Sequence, residues 1–265
     1  MGELVYDRRG SGEPLVLVHG LGSRRQAWKP VMDLAAQARD VIAVDLPGFG
    51  ESPPDRSGTE LRVGDHADRV QEFFADLGLD RPHVAGSSLG GAIALELGRR
   101  QAVRSVTAFS PVGFWGAPGE AWCRWALRAG WESGRLRPAS TSPRLVIASS
   151  RPFLFIYAFG RPWNAPDEEI LETVESGLGA PGFRDALDYG LDYRFGDPQA
   201  LDGLPVTVAW GRRDVLMPPL VQARRARRML PRARHLSLPH CGHVPFYDNP
   251  ELCTRVLLEG SRPSG

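Results

Sequence analysis

Residues 84–90 read Val84-Ala85-Gly86-Ser87-Ser88-Leu89-Gly90, and this stretch decides the fold. It joins an apolar run that is typical of a strand to a pattern that is typical of a helix ending near residue 100. A Gly-x-Ser-x-Gly turn needs a small residue two places on either side of the serine, because a side chain there would clash. Ser88 has glycine at both places, whereas Ser87 has alanine and leucine. The spacing therefore selects Ser88 as a candidate nucleophile, although a glycine-rich turn without catalytic use stays open.

The remainder of the first third alternates strand patterns with helix patterns. The runs 15–18, 41–44 and 103–109 are short and apolar on both faces, as is typical of parallel strands covered by helices. Between them, helices are predicted at about 23–38 and 63–77. This alternation predicts an α/β protein with an open, mostly parallel sheet, and the ligand site of such a sheet lies at the carboxyl ends of its strands.

The stretch 115–197 differs from both of its flanks. It has no clear aliphatic strand run and holds five of the seven tryptophans, while strand patterns return at 204–210 and 234–238. We interpret 115–197 as a helical cap (lid) subdomain inserted into a core domain made of residues 1–114 and 198–265. A cap in this position would cover the edge of the sheet where the ligand site is expected.

Composition and charge exclude several classes of protein. The 265 residues carry 32 basic and 31 acidic side chains, a formal net charge of +1, so no nucleic-acid partner is expected. No run reaches the roughly 18–20 apolar residues of a membrane span. The first residues show no signal-peptide pattern, and three cysteines are too few for a disulfide framework. A cytoplasmic location is therefore expected, and a homo-oligomer stays open.

Two further side chains with useful chemistry follow strand patterns downstream. Asp214 comes after the pattern at 204–210, and His243 lies in a glycine-bearing loop after the last strand pattern. The chain order Ser88, Asp214, His243 is that of a Ser…Asp…His triad on this kind of sheet. Alone, Asp214 would be read as an exposed turn residue, but three such residues in order are much less expected by chance. The stretch 19–22 ends the first strong strand pattern, and one of its backbone N–H groups can bind an oxyanion. Its histidine, His19, is interpreted as a structural residue.

Five segments together resemble the α/β-hydrolase fold superfamily, in its capped serine hydrolase, esterase-like branch. These segments are 19–22, 45–52, 86–90, 211–214 and 242–245. They are specific for the fold and its machinery but not for a substrate, and the resemblance does not cover the cap. It implies a mostly parallel central sheet of about eight strands flanked by helices, with the helical cap inserted after the sixth strand.

The resemblance implies roles that agree with the residue chemistry. His243 takes the proton of Ser88, which attacks an acyl carbon, and Asp214 holds the imidazole in the required tautomer. The backbone N–H groups of Leu21 and Leu89 are expected to bind the oxyanion. No metal and no organic cofactor are required, since the histidines and cysteine at 240–243 do not make a convincing ligand set. The candidate pocket residues are Gly20, Phe49, Trp115, Trp122, Val215 and Val244.

The nucleophile and the aromatic cap narrow the reaction. Epoxide hydrolases and haloalkane dehalogenases of this superfamily attack with an aspartate, so a serine excludes both. Aromatic cap residues favour a small-molecule substrate with a hydrophobic or aromatic portion, although the same residues could equally form the core of the cap. We predict a serine hydrolase that cleaves a carboxylic ester of a small hydrophobic molecule. The alternatives are a carbon–carbon bond hydrolase of ring-cleavage products, a lactonase, a thioesterase, a cofactor-free perhydrolase, or a ligand-binding receptor on the same fold.

Overall fold

One sheet of seven strands organises the described part of the chain, which comprises residues 4–55, 61–138 and 140–262 of a computed structural model. The strands are β1 (Tyr6–Gly10), β2 (Pro14–Val18), β3 (Asp40–Val44), β4 (His83–Ser87), β5 (Ser105–Phe109), β6 (Val206–Gly211) and β7 (Arg234–Leu238). They lie in the order β1-β3-β2-β4-β5-β6-β7. Only β1 runs antiparallel to its neighbour, and every other pair is parallel. The prediction of a mostly parallel α/β sheet is therefore confirmed.

The strand count differs from the expectation of about eight. The described residues contain seven strands, of which β1 has no clear signal in the sequence. The sequence of β1, Tyr6-Asp7-Arg8-Arg9-Gly10, is polar because the strand lies at the edge of the sheet, where its residues are half-buried or exposed. The inner strands β3, β4, β5 and β6 are buried along their whole length, which explains why their apolar runs are easy to recognise.

Helices cover both faces of this sheet. They are α1 (Lys29–Ala35), α2 (Val63–Asp76), α3 (Leu89–Arg99), α4 (Ala117–Arg135), α5 (Pro143–Tyr157), α6 (Asp167–Gly179), α7 (Phe183–Asp188), α8 (Gln222–Met229) and α9 (Pro250–Gly260). On β2, Val16 and Val18 belong to the apolar cluster of α2 and α3, whereas Leu15 and Leu17 belong to that of α1 and α9. Successive side chains of a strand point to opposite faces, so β2 must be apolar throughout.

Four helices, α4 to α7, form an insertion between β5 and β6. Five described strands, β1 to β5, precede the insertion. The insertion therefore follows the fifth strand of the described chain and not the sixth. The α4–α7 insertion is helical, as predicted from the lack of aliphatic strand patterns in 115–197. None of the helices in the described ranges is both long enough and apolar enough to cross a membrane.

A buried histidine on α2 makes the stability of the fold depend on pH. His66 is 1% exposed, and neither of its ring nitrogens has a hydrogen-bond partner among the described residues. Burial lowers the pKa of His66 to about 4, from an ordinary value of 6.5. Between these two pH values the unfolded chain binds a proton that the folded chain does not bind. The folded state therefore loses stability as the pH falls through this window.

We expect the free energy of unfolding to fall by about 1.4 kcal/mol per pH unit for this one proton between about pH 6.5 and pH 4. The substitution His66→Leu removes the titrating group and should flatten the slope by that amount. Urea unfolding at a series of pH values measures the slope. The comparison variant is His240→Asn, which removes a histidine from an exposed position. An equal slope in the wild type and in His66→Leu would contradict the assignment.

Candidate active site

Ser88 lies at the sharp turn between β4 and α3. Its backbone angles are φ 56° and ψ −115°, a left-handed conformation that a residue with a side chain rarely adopts and that costs about 1–3 kcal/mol. Backbone hydrogen bonds hold the turn in place: the Ser88 N–H donates to the Phe109 carbonyl at 2.9 Å, and the Ser88 carbonyl accepts from the Val112 N–H at 3.1 Å. The surrounding structure thus fixes a strained turn that presents a half-buried serine.

The glycines on either side of Ser88 allow the backbone to approach itself closely. A Cβ atom on Gly86 would lie 2.0 Å from the Gly90 carbonyl oxygen, and one on Gly90 would lie 2.1 Å from the Val18 carbonyl oxygen. Real Cβ atoms essentially never come so close to backbone atoms. The spacing rule that selects Ser88 over Ser87 therefore has a direct steric cause.

The substitution Gly90→Ala is expected to destabilise the protein by more than about 3 kcal/mol, since overpacking against immobile backbone exceeds the usual cost of an added methyl group. Urea unfolding followed by circular dichroism measures the loss. Gly179→Ala is the matched control, because nothing lies within 4 Å of a Cβ at this position. There we expect no change or a gain of up to about 1 kcal/mol. Equal effects of the two substitutions would refute the steric explanation.

Asp214 and His243 form a buried pair at the ends of β6 and β7. The imidazole Nδ1 lies 2.9 Å from Asp214 Oδ2, and Asp214 Oδ1 accepts a hydrogen bond from the Met217 N–H at 2.7 Å. Both side chains are at most 4% exposed. An ionised carboxylate only accepts hydrogen bonds, so the neutral imidazole carries its proton on Nδ1 and leaves the lone pair of Nε2 free. This is the tautomer that can accept a proton.

Two loops hold this pair in place. The Arg212 N–H donates to the Leu238 carbonyl at 3.0 Å, and the Arg213 N–H donates to the Cys241 carbonyl at 2.8 Å. These bonds join the loop after β6 to the loop after β7. The distance between Asp214 and His243 is therefore fixed by backbone contacts as well as by their own hydrogen bond.

Asp248 ties the histidine loop to the α4–α7 insertion. Its carboxylate accepts hydrogen bonds from the Gly242 and Gly160 N–H groups at 2.8 Å and from the Arg161 N–H at 2.7 Å. Burial raises the pKa of Asp248, and these three donors oppose the rise. No sequence pattern marks Asp248 as a positioning residue, because its partners lie up to 88 residues away and follow no motif.

His19 fixes the peptide that precedes Leu21. The Leu46 N–H donates to His19 Nε2 at 3.0 Å, so the ring proton is on Nδ1, which donates to the Gly20 carbonyl at 2.8 Å. Burial lowers the pKa of His19, which favours this neutral form. Because a peptide unit is planar and trans, holding the Gly20 carbonyl also fixes the direction of the Leu21 N–H.

The second predicted oxyanion donor is the N–H of Leu89, the first residue of α3. The first N–H groups of a helix have no acceptor within the helix, so they are available to a ligand. A Cβ built on Gly20 would lie 3.0 Å from Ser88 Cβ and 3.7 Å from Ser88 Oγ. The loop that carries Leu21 therefore passes directly beside the candidate nucleophile.

A cavity of about 760 Å³ opens between the carboxyl ends of the strands and the α4–α7 insertion. Both Ser88 and His243 line it, while Asp214 lies behind His243. The wall is largely apolar, and about half of its residues lie on α4, α5 and α6. The predicted site residues on the wall are Gly20, Leu21, Ser88, Trp122, His243 and Val244.

Three predicted pocket residues do not line this cavity. Phe49 is 1% exposed and packs edge-on against the ring of His19, with the ring centroids 5.6 Å apart. Trp115 is buried in the main apolar core. The carbonyl of Val215 accepts a hydrogen bond from Trp122 Nε1 at 3.1 Å. Phe49 and Val215 thus contact His19 and Trp122, which do line the cavity, whereas Trp115 packs in the core.

The neighbouring cysteine and histidines do not form a second reactive centre. Burial raises the pKa of the Cys241 thiol to about 12, so the thiol stays protonated at neutral pH. Within the described ranges, no group of three His, Cys, Asp or Glu side chains comes together in a way that could hold a metal ion.

Comparison with known proteins identifies the family of this chain. A family model described as alpha/beta hydrolase fold matches residues 13–250, so the chain belongs to this family. The chain is 30% identical over 268 residues to a pimeloyl-[acyl-carrier protein] methyl ester esterase of Nitrosomonas europaea, covering 95% of this chain and 96% of that protein. It superimposes with a TM-score of 0.74 on a thermophilic esterase from Thermogutta terrifontis, at 22% identity, covering 97% of this chain and 92% of that one.

A third relative is much longer than the region that matches. The dihydrolipoyllysine-residue acetyltransferase component of an acetoin cleaving system of Cupriavidus necator is 40% identical over 112 residues. The match covers 41% of this chain and only 29% of that protein. The family and the relative named as a methyl ester esterase support a hydrolase without indicating the substrate of this chain.

Proposed function

We propose that the protein is a serine hydrolase that cleaves a carboxylic ester of a small hydrophobic substrate. The observation that carries the proposal is the placement of Ser88, on its strained turn, and of His243, paired with Asp214, on the wall of one cavity. A nucleophile, a base and a group that orients the base are the parts that acyl transfer needs.

The reaction follows from these three roles. His243 Nε2 takes the hydroxyl proton as Ser88 Oγ attacks the ester carbon, and Asp214 stabilises the resulting imidazolium. The tetrahedral intermediate collapses, the alkoxy group leaves with the proton from His243, and an acyl-enzyme remains. Water then attacks the acyl carbon and gives a proton to His243. When the second tetrahedral intermediate collapses, His243 returns this proton to Ser88 Oγ, and the acid is released.

The oxyanion of each tetrahedral intermediate is assigned to two backbone donors, the N–H groups of Leu21 and Leu89. Two observations support this assignment: His19 fixes the peptide before Leu21, and the Leu89 N–H lies at the start of α3, where it has no acceptor within the helix. Losing one such donor typically costs about 10²–10³ in rate.

The α4–α7 insertion is proposed to act as the cap, within the boundaries 115–197 expected from the sequence. Trp122 and Trp131 on α4 and Phe183 at the start of α7 line the cavity beside apolar residues of α5 and α6. Such walls favour a substrate with a hydrophobic or aromatic portion. The relative named as a methyl ester esterase supports an ester as the bond that is cleaved.

The test combines labelling with turnover. A fluorophosphonate should add to the intact protein, and peptide mass spectrometry should place the adduct on Ser88. A panel of 4-nitrophenyl esters, lactones, thioesters and a vinylogous diketone ring-cleavage product should then show the highest kcat/KM for an ester. An adduct at another residue, or faster cleavage of the diketone, would overturn the proposal. Tight binding of one ester with negligible turnover of all of them would favour a receptor instead.

A further inference from the structure

One cationic side chain lies on the wall of the largely apolar cavity. Arg137 is half-buried and is the only arginine or lysine among the described residues that line the cavity. Its Nη2 donates to Ser150 Oγ at 3.3 Å, and Ser133 and Ser149 also lie on the wall. No ion pair between described residues includes Arg137. Its guanidinium therefore has donors left for a ligand, since it carries five N–H groups.

Several arginines of the same insertion are used differently. Arg124 pairs with Glu120 and Asp192, Arg128 with Asp188, and Arg151 with Asp167. Each of these ion pairs links two residues of the insertion to each other. Arg137 faces the cavity without such a carboxylate.

Glu169, the acidic residue on the described cavity wall, already has partners other than Arg137. Glu169 lies 3.5 Å from Arg24 and accepts a hydrogen bond from Thr173 Oγ1 at 3.2 Å. It is buried, and its neighbours also include the Tyr247 hydroxyl. The charge of Arg137 is thus left for a group that enters the cavity.

Arg137 and the Asp214–His243 pair lie at opposite ends of α4. Trp122, near the start of α4, donates to the carbonyl of Val215, the residue after Asp214. Arg137 comes two residues after the end of this helix at Arg135. At a rise of 1.5 Å per residue, the 13 steps from residue 122 to residue 135 span about 20 Å. Between the two ends the wall is formed by small and apolar residues such as Ala126, Ala129 and Leu178.

We propose that Arg137 binds a carboxylate at the far end of the substrate. The substrate is then an ester whose apolar chain carries a carboxylate remote from the cleaved bond. Guanidinium and carboxylate form two parallel hydrogen bonds in a geometry that neither a lysine nor a neutral amide reproduces. This inference rests on the proposed function, since it extends the same cavity and the same reaction.

The experiment compares two series of 4-nitrophenyl esters of equal chain length, one ending in a methyl group and the other in a carboxylate. At the longer chain lengths, the wild type should prefer the carboxylate series. In Arg137→Gln this preference, as a ratio of kcat/KM values, should fall about tenfold to a hundredfold, mainly through KM. Arg137→Lys should retain part of it. The matched control is Arg144→Gln, which removes the same charge from an exposed position on α5 that does not line the cavity.

Two results would overturn the inference. One is a wild-type enzyme that hydrolyses both series equally well at every chain length. The other is an Arg137→Gln variant that keeps the preference, or loses activity equally on both series. Fluorophosphonate labelling of Ser88 separates these results from a failure of the proposed function. A protein that is labelled at Ser88 but shows no preference refutes only the carboxylate site, whereas a protein that is not labelled refutes the hydrolase itself.

Discussion

The substitution Ser88→Ala is expected to reduce kcat on an activated ester by about 10⁶-fold, the scale found when a serine nucleophile is removed from a triad. The loss is large because the acyl-enzyme forms on the Ser88 hydroxyl, which alanine lacks. The fold should persist, since Ser88 is held through its backbone N–H and carbonyl. Turnover of a 4-nitrophenyl ester and fluorophosphonate labelling measure the loss, with circular dichroism as the test of folding.

The neighbouring serine provides the control. Ser87 is 3% exposed, and its hydroxyl has no hydrogen-bond partner among the described residues. The substitution Ser87→Ala also removes a serine hydroxyl, one position before Ser88, and should change kcat by no more than a few-fold. If Ser87→Ala abolished labelling while Ser88→Ala retained it, the assignment of the nucleophile would be wrong.

Asp214→Asn should lower kcat by about 10⁴-fold while leaving KM and folding nearly unchanged. The reason is that the Asp214 carboxylate accepts hydrogen bonds from both the Met217 N–H and His243 Nδ1. With its oxygen kept on the Met217 N–H, the asparagine would point its NH₂ group at His243 Nδ1. The imidazole would then carry its proton on Nε2, where it could no longer accept the proton of the serine.

An exposed carboxylate serves as the control for this substitution. Asp202 pairs with Arg232 at the surface, and Asp202→Asn should leave kcat within a few-fold of the wild type. Steady-state kinetics on one activated ester compares the two variants, and thermal unfolding checks their folding. An Asp214→Asn variant with wild-type kcat would show that His243 does not depend on this carboxylate.

The sequence predicts those features that local chemistry constrains. The Gly-x-Ser-x-Gly spacing locates the turn at Ser88, because a Cβ atom at either glycine would overlap with backbone. The inner strands are recognisable since they are buried on both faces. Asp214 and His243 follow strands, so the parallel sheet brings both to one edge and their hydrogen bond could be anticipated.

Features that depend on tertiary packing could not be predicted in the same way. Phe49, Trp115 and Val215 are predicted pocket residues that do not line the cavity in the folded structure. Phe49 packs against His19, and Trp115 lies in the main apolar core. Arg137 is one of many arginines in the sequence, and only the folded insertion distinguishes it from those that pair at the surface. Long-range contacts of this kind leave no periodic pattern in the chain.

The three hydrogen bonds of Asp248 have a mechanical consequence for substrate entry. They join residues 160 and 161 to the loop of the proposed base, so this corner cannot separate without exposing a buried carboxylate that has lost its donors. If the cavity opens, residues 160 and 161 are therefore expected to stay with the histidine loop. A chimaera carrying a foreign set of helices would need N–H donors at the same two positions to keep its imidazole aligned.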